Sequence, residues 1–240
     1  MNSTRFAGKV TFVAGGTGAL GCAVSQAFLH EGATVIVTYR KQEELDSLMQ
    51  AAAADQSRLE GHRVDVTDEA ATVQLVRQIF EQHQRLDVLV NTVGGYAGGA
   101  KLWELEPKVF EHLLDLNLRS GYALSRAAVP AMLNQGYGAF VNIAARAGVE
   151  PAAGAAAYAA SKAAALALMR SLAAEVEGLG IRVNSVLPSI IDTPANRSAM
   201  PKADYAKWPK PEEIARVILF LCSDEAKLIH GASIPVYGEA

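Results

Sequence analysis

Residues 9–21 read KVTFVAGGTGALG, and the fold follows from this stretch. Its first half is an unbroken apolar, β-branched run, the signature of a strand buried on both faces. Its second half is a turn carrying Gly15, Gly16, Gly18 and Gly21, followed by a helical pattern over 19–31. A strand that enters a helix through glycines lets the backbone approach a pyrophosphate with no Cβ in the way. The helix N-terminus then faces the phosphates.

The same alternation continues along the chain. ATVIVTY (33–39) reads as a strand before a helix over 42–54, and GHRVDV (61–66) as a third strand. Thr67 is placed to cap the next helix, with Asp68 and Glu69 in its first turn. LDVLVNTV (86–93) is a fourth strand. Pro107 opens a long helix, and a further helical stretch reaches Met132. GAFVNIA (138–144) and IRVNSVLP (181–188) are strands flanking a helix over 156–176. A helix opens at Pro211, and ASIPVYG (232–238) closes the pattern as a strand. Such alternation predicts one α/β domain over 1–240: a doubly wound parallel sheet of Rossmann-like type with helices on both faces. Ligand-binding residues are then expected at the carboxyl ends of the strands.

Composition excludes several classes. Half of the 240 residues are apolar and the net charge is −3, with no basic stripe for nucleic acid. Two distant cysteines and five scattered histidines lack metal-ligand spacing. The N-terminus has no signal-peptide pattern, and the Ala-rich stretch around 152–169 is a poor membrane span because Lys162 breaks it. The expectation is a cytoplasmic protein with a small-molecule substrate, no metal, and neither nucleic-acid nor membrane partners.

Within NIAARAGVEPAAGAAAYAASK (142–162), Tyr158 and Lys162 stand four apart and project from one helix face. An ammonium beside a phenol is expected to lower the phenol's pKa and make it a usable acid near neutrality. At the end of the second strand, VTYRKQ (37–42) carries no acid to accept ribose hydroxyls. Arg40 is suited to a 2′-phosphate instead, which favours NADP(H) while leaving NAD(H) possible. Asp65 is placed to accept from an adenine amino group.

Together these residues resemble the short-chain dehydrogenase/reductase family over nearly the whole chain. The turn at 14–21 is similar to its T-G-x-x-x-G-I/L-G, with Ala19 where glycine is usual. VNTVG (90–94) resembles N-N-A-G, with Thr92 replacing the second Asn. DLNL (115–118) matches the motif of the catalytic Asn, YAASK (158–162) matches Y-x-x-x-K, and VNSVLPS (183–189) resembles N-x-I/V-x-P-G with Ser189 for glycine. The resemblance implies a seven-stranded sheet and gives Tyr158 the role of proton donor. Lys162 holds the nicotinamide ribose, and Asn117 helps to keep a relay water. It assigns to the dinucleotide Gly15, Thr17, Gly18, Ala19, Leu20, Gly21, Arg40, Asp65, Val66, Asn91, Lys162, Pro188, Ile191 and Thr193, the last against the nicotinamide amide. It also implies a homodimer or homotetramer paired through the helix over 156–176 and the long helix before it.

One family feature is missing. The catalytic Ser stands thirteen positions before the Tyr, and that position is Ala145, preceded by Ala144. Loss of such a hydrogen-bond donor costs a ketone reductase about 3–4 kcal/mol. Two segments, VGGYAGG (93–99) and residues 186–208, resemble those of the quinonoid dihydropteridine reductases, family members that also lack the Ser. There an aromatic, here Tyr96, lines the pterin site, and the later segment covers the substrate. Met200 and Trp208 are the apolar candidates for that cover, with 194–210 expected as a long loop. Those reductases differ from this chain in carrying an acid at the second strand's end and in lacking the DLNL Asn. The expected function is NADP(H)-dependent hydride transfer to a planar, activated acceptor such as a quinonoid dihydropteridine. The alternatives are a general carbonyl reductase or alcohol dehydrogenase, or a dinucleotide sensor without turnover.

Overall fold

The computed structural model describes residues 4–239. Val10–Ala14 (β1) and Val88–Asn91 (β4) are buried at every position, as their continuous apolar sequences require. With Thr34–Thr38 (β2), Leu59–His62 (β3), Gly138–Ile143 (β5), Ile181–Pro188 (β6) and Ser233–Val236 (β7) they form a seven-stranded sheet among the described residues. Its order is β3-β2-β1-β4-β5-β6-β7, and every pairing is parallel.

Helices Ala19–His30 (α1), Gln42–Ala52 (α2), Glu69–His83 (α3), Pro107–Leu114 (α4), Ser120–Gln135 (α5), Ala156–Glu175 (α6), Pro194–Ala199 (α7) and Pro211–Cys222 (α8) supply the connections. Two apolar layers result. One packs Phe28, Leu48 and Ile218 against Val13 and Val37; the other packs Leu75, Leu124 and Met169 against Phe12 and Phe140. Each strand thus faces a helical layer on both sides, which fixes the doubly wound architecture.

The order reverses direction between β1 and β4, so the chain leaving β1 and the chain leaving β4 diverge above the carboxyl edge. That crevice is where open α/β sheets bind ligands. The glycine turn lies over it. Gly15 has φ +74°, which favours glycine. A Cβ on Gly21 would lie 2.1 Å from the Gly15 carbonyl oxygen, and one on Gly16 would lie 2.4 Å from Val37 Cγ1. The turn is therefore closed by backbone-to-backbone contact.

Four local expectations are corrected. The third strand runs over Leu59–His62 rather than 61–66. Its register with β2 ends at Thr38–His62, so Val64 and Val66 are buried or half-buried by the loop beyond it. Asp68, not Thr67, caps α3 by accepting from the Ala71 N–H, while Thr67 bonds Asp65. Residues 194–210 are not a structureless loop. Thr193 caps α7 ahead of Pro194, and Asp204 caps a 3-10 turn at Tyr205–Lys207. Finally, the helical run opened by Pro107 is interrupted by a π turn, Asp115–Arg119, which carries Asn117 between α4 and α5.

The glycine contacts separate two neighbouring substitutions. Gly21→Ala forces backbone apart and is expected to lower unfolding free energy by about 1–3 kcal/mol. Gly18→Ala, whose Cβ would meet only the Gly15 oxygen at 3.5 Å, is expected to leave the urea midpoint of the free protein within error of wild type. Equal midpoints for both variants would remove this account of the turn.

Candidate active site

Six strand ends contribute to one edge. From β1 comes the glycine turn. Its Gly15 N–H donates to Thr38 Oγ1 at 2.8 Å, and Ser25 Oγ donates to the Gly16 carbonyl at 3.2 Å. No side chain caps α1 at Gly18, so the amides of its first turn stay open to an anion. A cleft runs from this turn past Arg40, Asp65, Thr92 and Gly94. Its glycine floor, open amides and flanking arginine fit a dinucleotide diphosphate with its adenosine. Asp65 is anchored by Thr67 through its N–H and hydroxyl at 2.9 and 2.8 Å, bonds that hold its carboxyl below the ordinary range. Val66 is buried beside it.

From β4, Asn91 turns inward. Its Nδ2 donates to Asn142 Oδ1 at 2.9 Å and to Ser120 Oγ at 3.3 Å, and its Oδ1 accepts from the Val93 N–H. The side chain is committed to holding the strand end. Thr92, which departs from the family's second Asn, donates to the Ala14 and Gly15 carbonyls and so ties β4 to the glycine turn.

Asn117 is also committed. Its Oδ1 accepts from the Gly95 N–H at 2.9 Å, and its Nδ2 donates to the Gly95 carbonyl and to Ser161 Oγ, each at 3.0 Å. It clamps the chain after β4 onto α6. Gly94 lies against both, since a Cβ there would sit 2.9 Å from Asn117 Oδ1 and 3.0 Å from Lys162 Nζ.

Tyr158 and Lys162 stand on α6 as their spacing predicts, but the electrostatics differ from expectation. Lys162 is buried and donates to the Ile143 carbonyl at 3.0 Å; burial lowers its pKa to about 8. Tyr158 is pushed up, not down, to about 12, first by burial and second by the Tyr96 phenol. The phenol is thus a firmly protonated donor in the free protein. The Lys162 ammonium is directed at the Ile143 carbonyl and does not oppose this shift.

Tyr96 is 69% exposed, and its ring meets that of Tyr158 edge-on, with centroids 5.0 Å apart at 77°. Its hydroxyl passes over Gly98, where a Cβ would come within 2.3 Å of it. The Gly99 N–H donates to the Gly154 carbonyl at 2.8 Å and joins this loop to the entry of α6. Ala145 lies two positions beyond the end of β5 at Ile143, whose carbonyl Lys162 holds, and is buried. The following turn packs on α6, since a Cβ on Gly148 would lie 3.0 Å from the Lys162 carbonyl carbon. From β6, Pro188 pairs with Val236, Ile191 accepts from Asn196 Nδ2, and the buried Thr193 accepts the cap bond of α7 with its own hydroxyl proton still to donate. Met200 ends α7 half-buried. Trp208 is buried against Tyr205, with ring centroids 5.0 Å apart, and lines a separate cavity with Val217 and Val236. Burial there pins the segment.

Sequence reading missed Thr38, Ser161, Gly94 and Glu44. The first two act through single hydrogen bonds to residues 23 and 44 positions away, and no local pattern marks them. Among the described residues no group of three or more His, Cys, Asp or Glu converges as a metal site, and no helix is long and apolar enough to cross a membrane.

With this geometry in place, comparison with known proteins identifies the class. A family model described as enoyl-(acyl carrier protein) reductase matches residues 15–238. The 3-oxoacyl-(acyl-carrier-protein) reductase of Thermotoga maritima is 33% identical over 98% of both chains. The meso-2,3-butanediol dehydrogenase of Serratia marcescens is 32% identical over 98% of this chain and 96% of its own. The crystal structure of a short-chain dehydrogenase/reductase from Burkholderia xenovorans superposes with a TM-score of 0.92 at 32% identity, covering 98% and 97% of the two chains. The chain belongs to the short-chain dehydrogenase/reductase family and is an NAD(P)-dependent oxidoreductase. The dihydropteridine reductase resemblance is minor beside this whole-length similarity.

The buried amine has a stability consequence of defined sign. Lys162 keeps a proton up to pH 10.5 unfolded but only to about 8 folded. Between those values the unfolded state binds more protons, so this group's contribution to stability rises with pH. The Tyr158 shift, between 10 and about 12, acts in the opposite direction and sets in only at the top of that window. Lys162→Met is therefore expected to be more stable than wild type at pH 7 by about 1–3 kcal/mol, with the gap closing by pH 10. A gap in urea denaturation that does not change with pH would show that the amine is not desolvated.

Proposed function

We propose that this oxidoreductase uses NADP(H), with NAD(H) also accepted, to reduce a planar, electron-poor acceptor such as a quinonoid dihydropteridine or a related conjugated imine or enone. The observation that carries the reading is the pairing of Ala145 with Tyr96. The position of the family's serine is a buried methyl group, while an exposed ring stands edge-on to the acid Tyr158. A ketone needs a donor on its oxygen as charge develops there. A conjugated imine carries its own electron sink and asks for a proton on nitrogen and a ring face to pack against. A bound dihydronicotinamide would supply the hydride.

Tyr158 delivers the proton and Lys162 orients the nicotinamide ribose. Asn117 positions both by clamping Gly95 and Ser161. Arg40 faces the 2′-phosphate, Thr193 the nicotinamide amide, and Pro188 and Ile191 line that end of the cleft. Met200 lies toward the substrate side. The protein works as a homodimer or homotetramer through α5 and α6.

A second reading, a general carbonyl reductase, is favoured by the names of the whole-length relatives, which are a ketoacyl reductase and a diol dehydrogenase. The two are separated by following NADPH oxidation with freshly generated quinonoid dihydropterin, a cyclic enone and a panel of ketones. The planar acceptors are expected to turn over at least a hundredfold faster, matching the loss of one oxyanion donor. Ala145→Ser is expected to raise ketone turnover without helping the planar acceptors. Fast ketone reduction by wild type would defeat the acceptor assignment.

Tyr158→Phe tests the acid. It is expected to bind NADPH as wild type does and to lose about two to four orders of magnitude in turnover, the usual worth of general acid–base catalysis. Undiminished turnover would remove Tyr158 from the mechanism.

A further inference from the structure

The adenosine end of the cleft contains a carboxylate that the strand-end sequence does not reveal. Glu44 lies in the first turn of α2, five residues past Tyr39, yet lines the cleft with Gly15, Thr17, Arg40 and Asp65. Two contacts hold it there. Thr17 Oγ1, on the glycine turn, donates to Glu44 Oε2 at 3.1 Å, and Lys41 Nζ lies 3.4 Å from Glu44 Oε1. The carboxylate therefore bridges the glycine turn and α2, between the two elements that must flank an adenosine ribose. Asp65 is the other acid of the cleft, but one of its oxygens takes both Thr67 bonds.

We infer that Glu44 is a specificity-determining residue for the dinucleotide, accepting a hydrogen bond from the ribose 2′-hydroxyl of NAD(H) and opposing the 2′-phosphate of NADP(H). This deepens the proposed cofactor assignment and rests on it for the position of the ribose. Arg40 and Glu44 then read opposite forms of one group. Arg40 attracts the phosphate and has nothing to offer a hydroxyl that a carboxylate does not offer better. Glu44 accepts from the hydroxyl, and its charge repels the phosphate at short range. The Thr17 hydroxyl and the Lys41 ammonium hold the Glu44 carboxylate at the cleft wall. The consequence is a pocket that accepts both cofactors, its preference set by the balance of Arg40, just before α2, and Glu44, in its first turn.

Calorimetric titration with ADP-ribose and with its 2′-phosphorylated counterpart isolates this end of the cofactor from any hydride chemistry. Wild type, Glu44→Gln and Arg40→Gln are titrated with both ligands, and circular dichroism checks that each variant is folded; Glu44→Ala replaces Glu44→Gln if that one is not. Loss of the Glu44 charge is expected to shift the affinity ratio about tenfold toward the phosphorylated ligand, the worth of one hydrogen bond to a charged group. Most of the change should fall as weaker binding of ADP-ribose. An affinity ratio within twofold of wild type overturns the assignment of Glu44, whatever Arg40 does. If Arg40→Gln leaves the phosphorylated ligand's affinity unchanged while Glu44→Gln still moves the ratio, the NADP(H) preference falls and the role of Glu44 stands. Raising the salt concentration is expected to weaken the phosphorylated ligand relative to ADP-ribose less in wild type than in Glu44→Gln, because screening relieves the Glu44 repulsion along with the Arg40 attraction, and an equal response in both would overturn the repulsive half of the inference.

Discussion

Where β1 and β4 part above the sheet, the backbone loses its ladder partners, and everything at the site depends on how those groups are satisfied. The Ala14 and Gly15 carbonyls take the Thr92 hydroxyl, the Gly15 N–H finds Thr38, and the Val93 N–H finds Asn91. A buried amide or carbonyl left unpaired costs about 1–3 kcal/mol, so these side chains are needed for the crevice to exist at all. They also fix its shape. Each is short and hydroxyl- or amide-bearing, and the glycine turn settles against β4, where a Cβ on Gly15 would lie 3.0 Å from Val93 Cγ2. Thr92 in place of the family's usual Asn preserves this function with a hydroxyl instead of an amide.

The clamp extends to the catalytic helix by the same means. Asn117 makes all three of its side-chain bonds to Gly95 and Ser161, and it can reach them because a π turn displaces residues 115–119 from the regular helical path. Ser161 in turn donates to the Tyr158 carbonyl, so the π turn, the loop after β4 and the first turn of α6 form one rigid unit around Lys162. That rigidity is what allows an amine to stay buried with one carbonyl partner. The cost of desolvation is carried by the surrounding packing, which is the usual arrangement for a pKa tuned toward a chemical task.

Much of this was legible in the sequence. The continuous apolar runs of β1 and β4 and the glycines between β1 and α1 dictate the sheet, its direction and the place of the cleft. The spacing of Tyr158 and Lys162 dictates that they share a face. What the sequence could not give was the chemistry that tertiary proximity creates. Lys162 reads locally as a freely charged partner for Tyr158, but the fold buries it and aims it at Ile143. The sequence places Asn117 in its motif but does not reveal that its side chain also ties Gly95 to Ser161. Glu44 reads as an ordinary first-turn acid favoured by the helix dipole, because its position against Thr17 depends on the packing of α1 beside β2. Trp208 reads as a lid aromatic, but α8 and β7 bury it.

Tyr96 and Ala145 together constrain the kind of acceptor more than either does alone. Burial and the Tyr96 phenol hold the Tyr158 phenol protonated, raised to about 12. At Ala145 the family's serine hydroxyl is a methyl group, so a ketone oxygen would lack that second donor as charge develops on it. An acceptor whose charge is delocalised over a conjugated ring needs no second donor at one atom, and its basic nitrogen takes a proton from a weak acid more readily than a carbonyl oxygen does. The exposed face of Tyr96 offers such a ring a surface of matching shape. On the proposed reading, the missing hydroxyl and the aromatic form one adaptation, in which stabilisation moves from a point contact on oxygen to the acceptor's own π system.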